Sequence, residues 1–198
     1  MKKITFLLIL TLGLFVTHAQ ADISSGSYFG IEYANLNTEL TIPDATQIGG
    51  TRVEDPTLDA FVLRVGHYFT NYLAAEFHLG SSLTEENGSR TKEAKMRSLY
   101  GLFVKGNFPL HAQNTNLYVL LGGSYSELKL TESPSASNLS GITNITASGL
   151  SYAFGVELYA TPTMAVNIEY VRYLSDDEVD VGGFALGFIK HFNAPKLY

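Results

Sequence analysis

The sequence predicts an all-β fold: eight antiparallel strands in an up-and-down meander, closed into a barrel that spans a membrane. Three observations predict it. Apolar and polar side chains alternate with period two through eight segments, and no segment carries a helical apolar stripe. The connections alternate long (41–57, 84–95, 131–146, 175–181) and short (69–71, 109–115, 161–163). In a meander this puts every short turn at one end and every long loop at the other. Finally, the bulky and the charged side chains fall on opposite faces.

The first segment, 27–40, puts Phe29, Ile31 and Tyr33 on one face and Gly30, Glu32 and Ala34 on the other. The second and third, 58–69 and 72–83, form a hairpin. An odd turn of Phe69, Thr70 and Asn71 sets Leu63 opposite Phe77 and Val65 opposite Ala75, and on the other face Arg64 opposite Glu76 and Val62 opposite His78. The fourth, 96–108, sorts Tyr100, Leu102 and Val104 against Gly101 and Lys105. The fifth, 116–130, begins apolar on both parities in "LYVLLGGSY"; Leu117, Val119 and Leu121 are assigned to the greasy face and Gly122 and Ser124 to the other. The sixth and seventh, 147–160 and 163–174, set Phe154, Val156, Ile168 and Tyr170 against Gly155, Glu157, Asn167 and Glu169. A three-residue turn between them opposes Glu157 to Asn167 and Gly155 to Glu169, which keeps the two glutamates apart. The eighth, 182–192, carries Phe184, Leu186 and Phe188 against Ala185 and Gly187.

A soluble lipocalin-like barrel would turn the greasy set inward. Against this, the polar face is rich in Gly, Ala and Ser and poor in the long solvating residues of a wetted surface. The greasy face is also too bulky for the small lumen of eight strands. The apolar face is therefore expected to meet lipid. Lipid demands closure, because an open edge in hydrocarbon leaves backbone groups unpaired at several kcal/mol each. Tyr68, Phe69, Tyr72, Phe108 and Phe192 at the turn end, with Tyr33, Tyr125 and Tyr173 at the other, suggest two aromatic girdles.

Residues 1–21 read as a secretory signal peptide: Lys2 and Lys3, an apolar run from Ile4 to Val16, then Ala19-Gln20-Ala21. The expected mature domain is 22–198, and loss of the two lysines shifts the formal net charge from −6 to −8. With no cysteine, disulfides, thiolate metal sites and a thiol nucleophile are excluded. The acidic balance and the lack of a basic stripe exclude nucleic acid as a partner.

The ordered set "SYFGIEYA", "LRVGHYFTNYLAAEFHLG", "LYGLFVKGNFPL", "LYVLLGGSY", "SYAFGVELYATPTMAVNIEYVRYL" and "GGFALGFIKHF" resembles the small porin-family, OmpA-like eight-stranded outer membrane barrels of Gram-negative bacteria. The resemblance implies short periplasmic turns, longer extracellular loops, residence in the cell outer membrane as a monomer, and contact with outer membrane lipids and lipopolysaccharide. It also implies recognition by the barrel assembly machinery through a last-strand signal that corresponds here to Gly187 and Phe192. The chain departs from that signal by continuing through "NAPKLY" and by carrying Lys190 where a hydrophobe is usual.

Three groups of residues are candidates for chemistry. On the interior face Glu32, Arg64, Glu76, His78, Lys105, Glu157 and Glu169 form a charge network, read as a structural plug in preference to the alternative, a narrow ion-conducting pore gated by Arg64 and Glu76. A lipid-modifying enzyme built on His78, Glu76 and Ser81 fails, because Ser81 has the opposite parity to His78; no catalytic residues are assigned. The acidic run 175–180 lacks the glycine and distal glutamate of an EF-hand loop, so no metal or cofactor is expected. The function expected is structural or surface-interacting, adhesion included, through four polar loops whose host-surface ligand the sequence does not name.

Overall fold

The structure, a computed structural model, describes residues 26–43, 51–83, 91–110, 114–132, 142–175 and 179–192. The expected signal peptide, the acidic triplet 176–178 and the centre of the loop after residue 132 lie outside them. All regular elements among the described residues are strands: β1 (Gly26–Pro43), β2 (Thr51–Glu54), β3 (Thr57–Tyr68), β4 (Leu73–Ser82), β5 (Thr91–Leu110), β6 (Thr115–Glu132), β7 (Ile142–Thr161), β8 (Met164–Ser175) and β9 (Val179–His191). No helix of these residues is long and apolar enough to cross a membrane.

The order is β1-β3-β4-β5-β6-β7-β8-β9, and β9 returns to pair with β1 from Tyr28↔His191 to Leu40↔Val179, closing an eight-stranded antiparallel barrel. The ninth strand adds no stave. Leu40 faces Glu54 on β2 and Asn37 faces Thr57 on β3 in one unbroken register, so β2 is the outer continuation of β3. Pro56, which has no N–H to give the ladder, interrupts it there, and its carbonyl is taken by the Thr38 N–H at 3.0 Å.

The lipid-facing assignment holds. Phe77, Phe154 and Phe188 point outward, while Glu76 and Glu169 are buried. The β3–β4 hairpin differs by two residues: Arg64 lies opposite His78, Val65 opposite Phe77, and Gly66 opposite Glu76. The cause is in the turn. The Thr70 Oγ1 accepts the N–H groups of Tyr72 and Leu73, and the Leu73 carbonyl accepts those of Phe69 and Thr70, so the odd loop is centred on Asn71. An even shift leaves every side chain on its expected face. The β7–β8 register is as the sequence indicates, with Glu157 opposite Asn167 and Gly155 opposite Glu169.

Of the four register shifts among the described strands, two change which side chains face inward and were not visible in the alternation. Met96 pairs with Leu128 and Ser98 with Glu127, leaving Arg97 as an extra residue in β5. Tyr173 is likewise extra in β8, between Arg172↔Gly182 and Leu174↔Val181. Each bulge reverses the inward parity, so Ala94 and Met96 face the lumen beyond one, and both Tyr173 and Leu174 face it at the other.

The strands are longer than the sequence pattern suggests. β5 and β7 have 20 residues and β1 and β6 have 18, against about ten needed to cross a bilayer at the usual tilt. The surplus lies at the loop end, because the short turns fix the other end. Inside, the barrel has two storeys. The loop-end storey is apolar, packed from Leu36, Leu58, Val62, Met96, Leu99, Leu128, Val171 and Val181. The turn-end storey is ionic. A lumen that is polar throughout is therefore corrected to one whose buried charges lie in its turn-end half, the loop-end half being mainly apolar with the hydroxyls of Thr38, Ser82 and Ser126 among its side chains.

Candidate functional site

The alternation of each strand brings seven ionisable side chains into the turn-end storey. Glu32 comes from β1, Arg64 from β3, Glu76 and His78 from β4, Lys105 from β5, Glu157 from β7 and Glu169 from β8, each at most 1% exposed. Room for them comes from residues without side chains. A Cβ on Gly66 would overlap the Tyr28 ring, and one on Gly155 would lie 2.5 Å from the Tyr118 ring.

Arg64 is the hub. Its Nη1 contacts Glu32 Oε1 and lies 2.9 Å from Glu169 Oε2, and its Nε contacts Glu76 Oε1. The Tyr118 hydroxyl donates to Glu169 Oε2 at 2.7 Å, the Tyr28 hydroxyl donates to Glu76 Oε2, and Asn167 Nδ2 donates to Glu32 Oε1. The His78 Nε2 lies 2.6 Å from Glu76 Oε1 and its Nδ1 lies 3.0 Å from the Tyr173 hydroxyl.

Lys105 is a second hub toward the turn end. Its ammonium contacts Glu157 Oε1 and lies 3.7 Å from Glu76 Oε2, so Glu76 joins the two hubs. It sits 4.4 Å from the Tyr118 ring centre and 4.8 Å from that of Tyr28, close enough for cation–π attraction in a desolvated setting. Glu157 Oε2 accepts from Asn116 Nδ2 at 3.0 Å and from the Tyr159 hydroxyl at 2.9 Å. Two cations thus hold four carboxylates, and removing one member would strand a buried charge at about 3–5 kcal/mol.

Sequence reasoning missed the neutral half of this network. Tyr28, Asn116, Tyr118 and Tyr159 are all buried in it. The signal was available, since Tyr28 shares parity with Glu32 and Tyr159 with Glu157. Tyr68 and Tyr173, expected in the girdles, also point inward; the hydroxyl of Tyr173 is held by His78, and the Tyr68 ring packs 5.0 Å from Tyr28. Phe69, Tyr72, Phe108 and Phe192 at one end and Tyr33 and Tyr125 at the other do face outward. His78 and Ser81 lie on opposite faces of β4 and cannot act together. Gly187 lies in β9 where a Cβ would meet Glu32 Cγ and Asn167 Oδ1, and Phe192 is two-thirds exposed just beyond the strand.

The family profile described as "Outer membrane protein beta-barrel domain" matches residues 6–192. The chain belongs to this family. Among solved structures, Ail, the attachment invasion locus protein of Yersinia pestis, is 19% identical with a TM-score of 0.57, over 86% of this chain and 100% of that one. The outer membrane protein OprG of Pseudomonas aeruginosa is 13% identical at 0.58, over 85% and 97%. The N-terminal barrel domain of OprF from the same organism is 12% identical at 0.54, over 83% and 97%. At these identities the likeness is one of fold. No curated protein matches the chain.

Proposed function

We propose that the protein is a monomeric resident of the bacterial outer membrane whose role is structural and surface-presenting, without ion conduction or catalysis. The observation that carries this reading is the doubly filled lumen. An ion crossing it would have to break the Arg64 and Lys105 clusters and then enter a storey lined mainly by Leu, Val and Met, where the hydroxyls of Thr38, Ser82 and Ser126 are too few to replace its hydration shell. The gated-pore alternative accounts for the lower storey alone.

The surface role rests on the surplus length of β1, β5, β6 and β7, which carries these strands at their loop ends beyond the height of a bilayer. Outer membrane lipids and lipopolysaccharide are the partners of the apolar belt, and the barrel assembly machinery is the partner of the last strand at Gly187 and Phe192. One similar structure is of Ail in complex with the heparin analogue sucrose octasulfate. A polyanion of that kind suits this chain poorly, because its formal net charge is −6.

Planar-bilayer recording tests the reading. The expected result is no unitary opening for either the native protein or Glu76→Gln; reproducible openings altered by that substitution would establish the pore instead.

A further inference from the structure

The four buried glutamates are not equivalent. Glu76 receives Arg64 Nε and His78 Nε2 on Oε1 and the Tyr28 hydroxyl on Oε2. Glu157 receives Lys105 Nζ on Oε1, and Asn116 Nδ2 and the Tyr159 hydroxyl on Oε2. Every oxygen of these two is met by a donor. Glu32 differs: its Oε1 takes both Arg64 Nη1 and Asn167 Nδ2, while its Oε2, buried, has no hydrogen-bond partner. Glu169 keeps Oε2 on Arg64 Nη1 and the Tyr118 hydroxyl and likewise leaves Oε1 bare.

The group beside the bare oxygen of Glu32 is another acceptor. Asn167 gives its Nδ2 to Glu32 Oε1, and its own Oδ1 is buried without a partner. Both side chains lean over Gly187, which faces Glu32 on one side and Asn167 on the other. A Cβ on that glycine would lie 2.5 Å from Glu32 Cγ and 2.8 Å from Asn167 Oδ1, so the two residues converge there. Two acceptors brought together with no hydrogen between them repel, and each carries the full cost of an unmade buried hydrogen bond.

The charge count points the same way. In this storey Arg64 and Lys105 oppose four glutamates, and His78 is the one other basic group that touches a carboxylate among the described residues. His191 instead meets the Tyr159 hydroxyl at 3.3 Å and packs against the rings of Tyr28 and Tyr68. Even a charged His78 leaves three cations against four carboxylates. An excess charge enclosed away from water is removed by taking up a proton.

We infer that Glu32 is a neutral carboxylic acid whose Oε2–H donates to Asn167 Oδ1, so that acid and amide close a ring of two hydrogen bonds over Gly187. One proton satisfies both bare oxygens, and it leaves Arg64, Lys105 and His78 to balance Glu76, Glu157 and Glu169. Glu169 has a bare oxygen too, but no amide on its other oxygen to complete such a ring. Arg64 loses nothing in geometry, because Oε1 of the acid still accepts from it. The proton belongs to a dry lumen: wherever water reaches the pair at neutral pH, Glu32 ionises as an exposed glutamate does. The inference therefore rests on the filled lumen argued above.

The test uses the full barrel in lipid vesicles at neutral pH and reads the infrared carbonyl absorption of a protonated carboxyl, which is distinct from that of carboxylates. The native protein should show one such band. Glu32→Gln should abolish it, Asn167→Leu should move it to higher frequency by freeing the acid carbonyl, and Glu127→Gln, on the outer surface, should leave it alone. Because Gln supplies at Nε2 the donor that the acid supplies at Oε2, Glu32→Gln should unfold in urea at the native midpoint or above it. No acid band in the native protein, a band that survives Glu32→Gln, or a lowered midpoint in that variant would each overturn the inference. If the band is absent and the native midpoint rises when sodium replaces choline, a bound cation takes the place of the proton. Planar-bilayer recording of the native protein checks the filled lumen separately: conduction would be a failure of that reading, and a silent barrel without the band a failure of this one alone.

Discussion

Arg64 and Glu76 are diagonal neighbours: Arg64 lies opposite His78, Glu76 lies opposite Gly66, and the guanidinium reaches across the corner to the carboxylate. Gly66 offers no side chain in between, and the vacated space holds the Tyr28 ring, whose hydroxyl takes the other Glu76 oxygen. One carboxylate thereby touches Arg64, His78, Tyr28 and Lys105.

Glu76→Gln keeps the shape of the site and removes its bridging charge. Arg64 retains Glu32 and Glu169, and Lys105 retains Glu157, so the loss is partial, on the order of 2–3 kcal/mol. Arg64→Ala strands three glutamates at once and should cost 3–5 kcal/mol or roughly more. Urea unfolding in lipid, followed by heat-modifiable gel migration, ranks the two; the reverse order would mean that Lys105, not Arg64, organises the storey.

Gly66→Leu tests the space itself. A side chain there overlaps the Tyr28 ring, so overpacking should destabilise by about 1–3 kcal/mol, and the double variant Gly66→Leu, Tyr28→Ala should recover part of the loss. Thermal unfolding of the four proteins of this cycle gives the coupling, which additivity would refute.

The lipid-facing belt predicts a depth dependence. Phe188→Arg sits midway between Phe184 and Phe192 on the outward face and should cost about 2–4 kcal/mol; Asn35→Arg, at the outer boundary, should cost under about 1 kcal/mol. Equal costs, read from unfolding in liposomes, would mean that the bilayer does not end near the level of Asn35 and Phe184.

The faces, the closure and the charged half of the network were legible because the pleat enforces period two, and a charge inside a lipid-facing strand has one place to go. Three things were not. The turn centre moved by one residue because the Thr70 hydroxyl, a side-chain acceptor, caps the loop from its first position. Tyr68 and Tyr173 share the inward parity of Arg64 and Glu169, but at a strand end a ring with a polar tip also suits a girdle, and composition alone drew them there. The apolar storey was legible only in part: Leu36, Leu58, Val62, Leu99, Leu128, Val171 and Val181 keep the parity of the charged face, but Met96 and Leu174 lie at the bulges of Arg97 and Tyr173, where the phase reverses and carries them from expected outward to observed inward positions.

That storey yields the sharpest prediction. Met96, Leu99 and Leu128 pack at the same level, each at most 1% exposed, with no hydrogen-bonding side-chain group among them to hold water. Replacing all three by Ser leaves the Arg64 and Lys105 clusters in place, so the protein should remain non-conducting. Combining them with Glu76→Gln removes the bridge of the lower storey and wets the upper one, and small cation-selective openings should appear in planar bilayers only then, because three glutamates outnumber the two remaining cations. Openings in the triple Ser variant alone would mean that the ionic storey already passes ions and that the apolar residues are the true barrier.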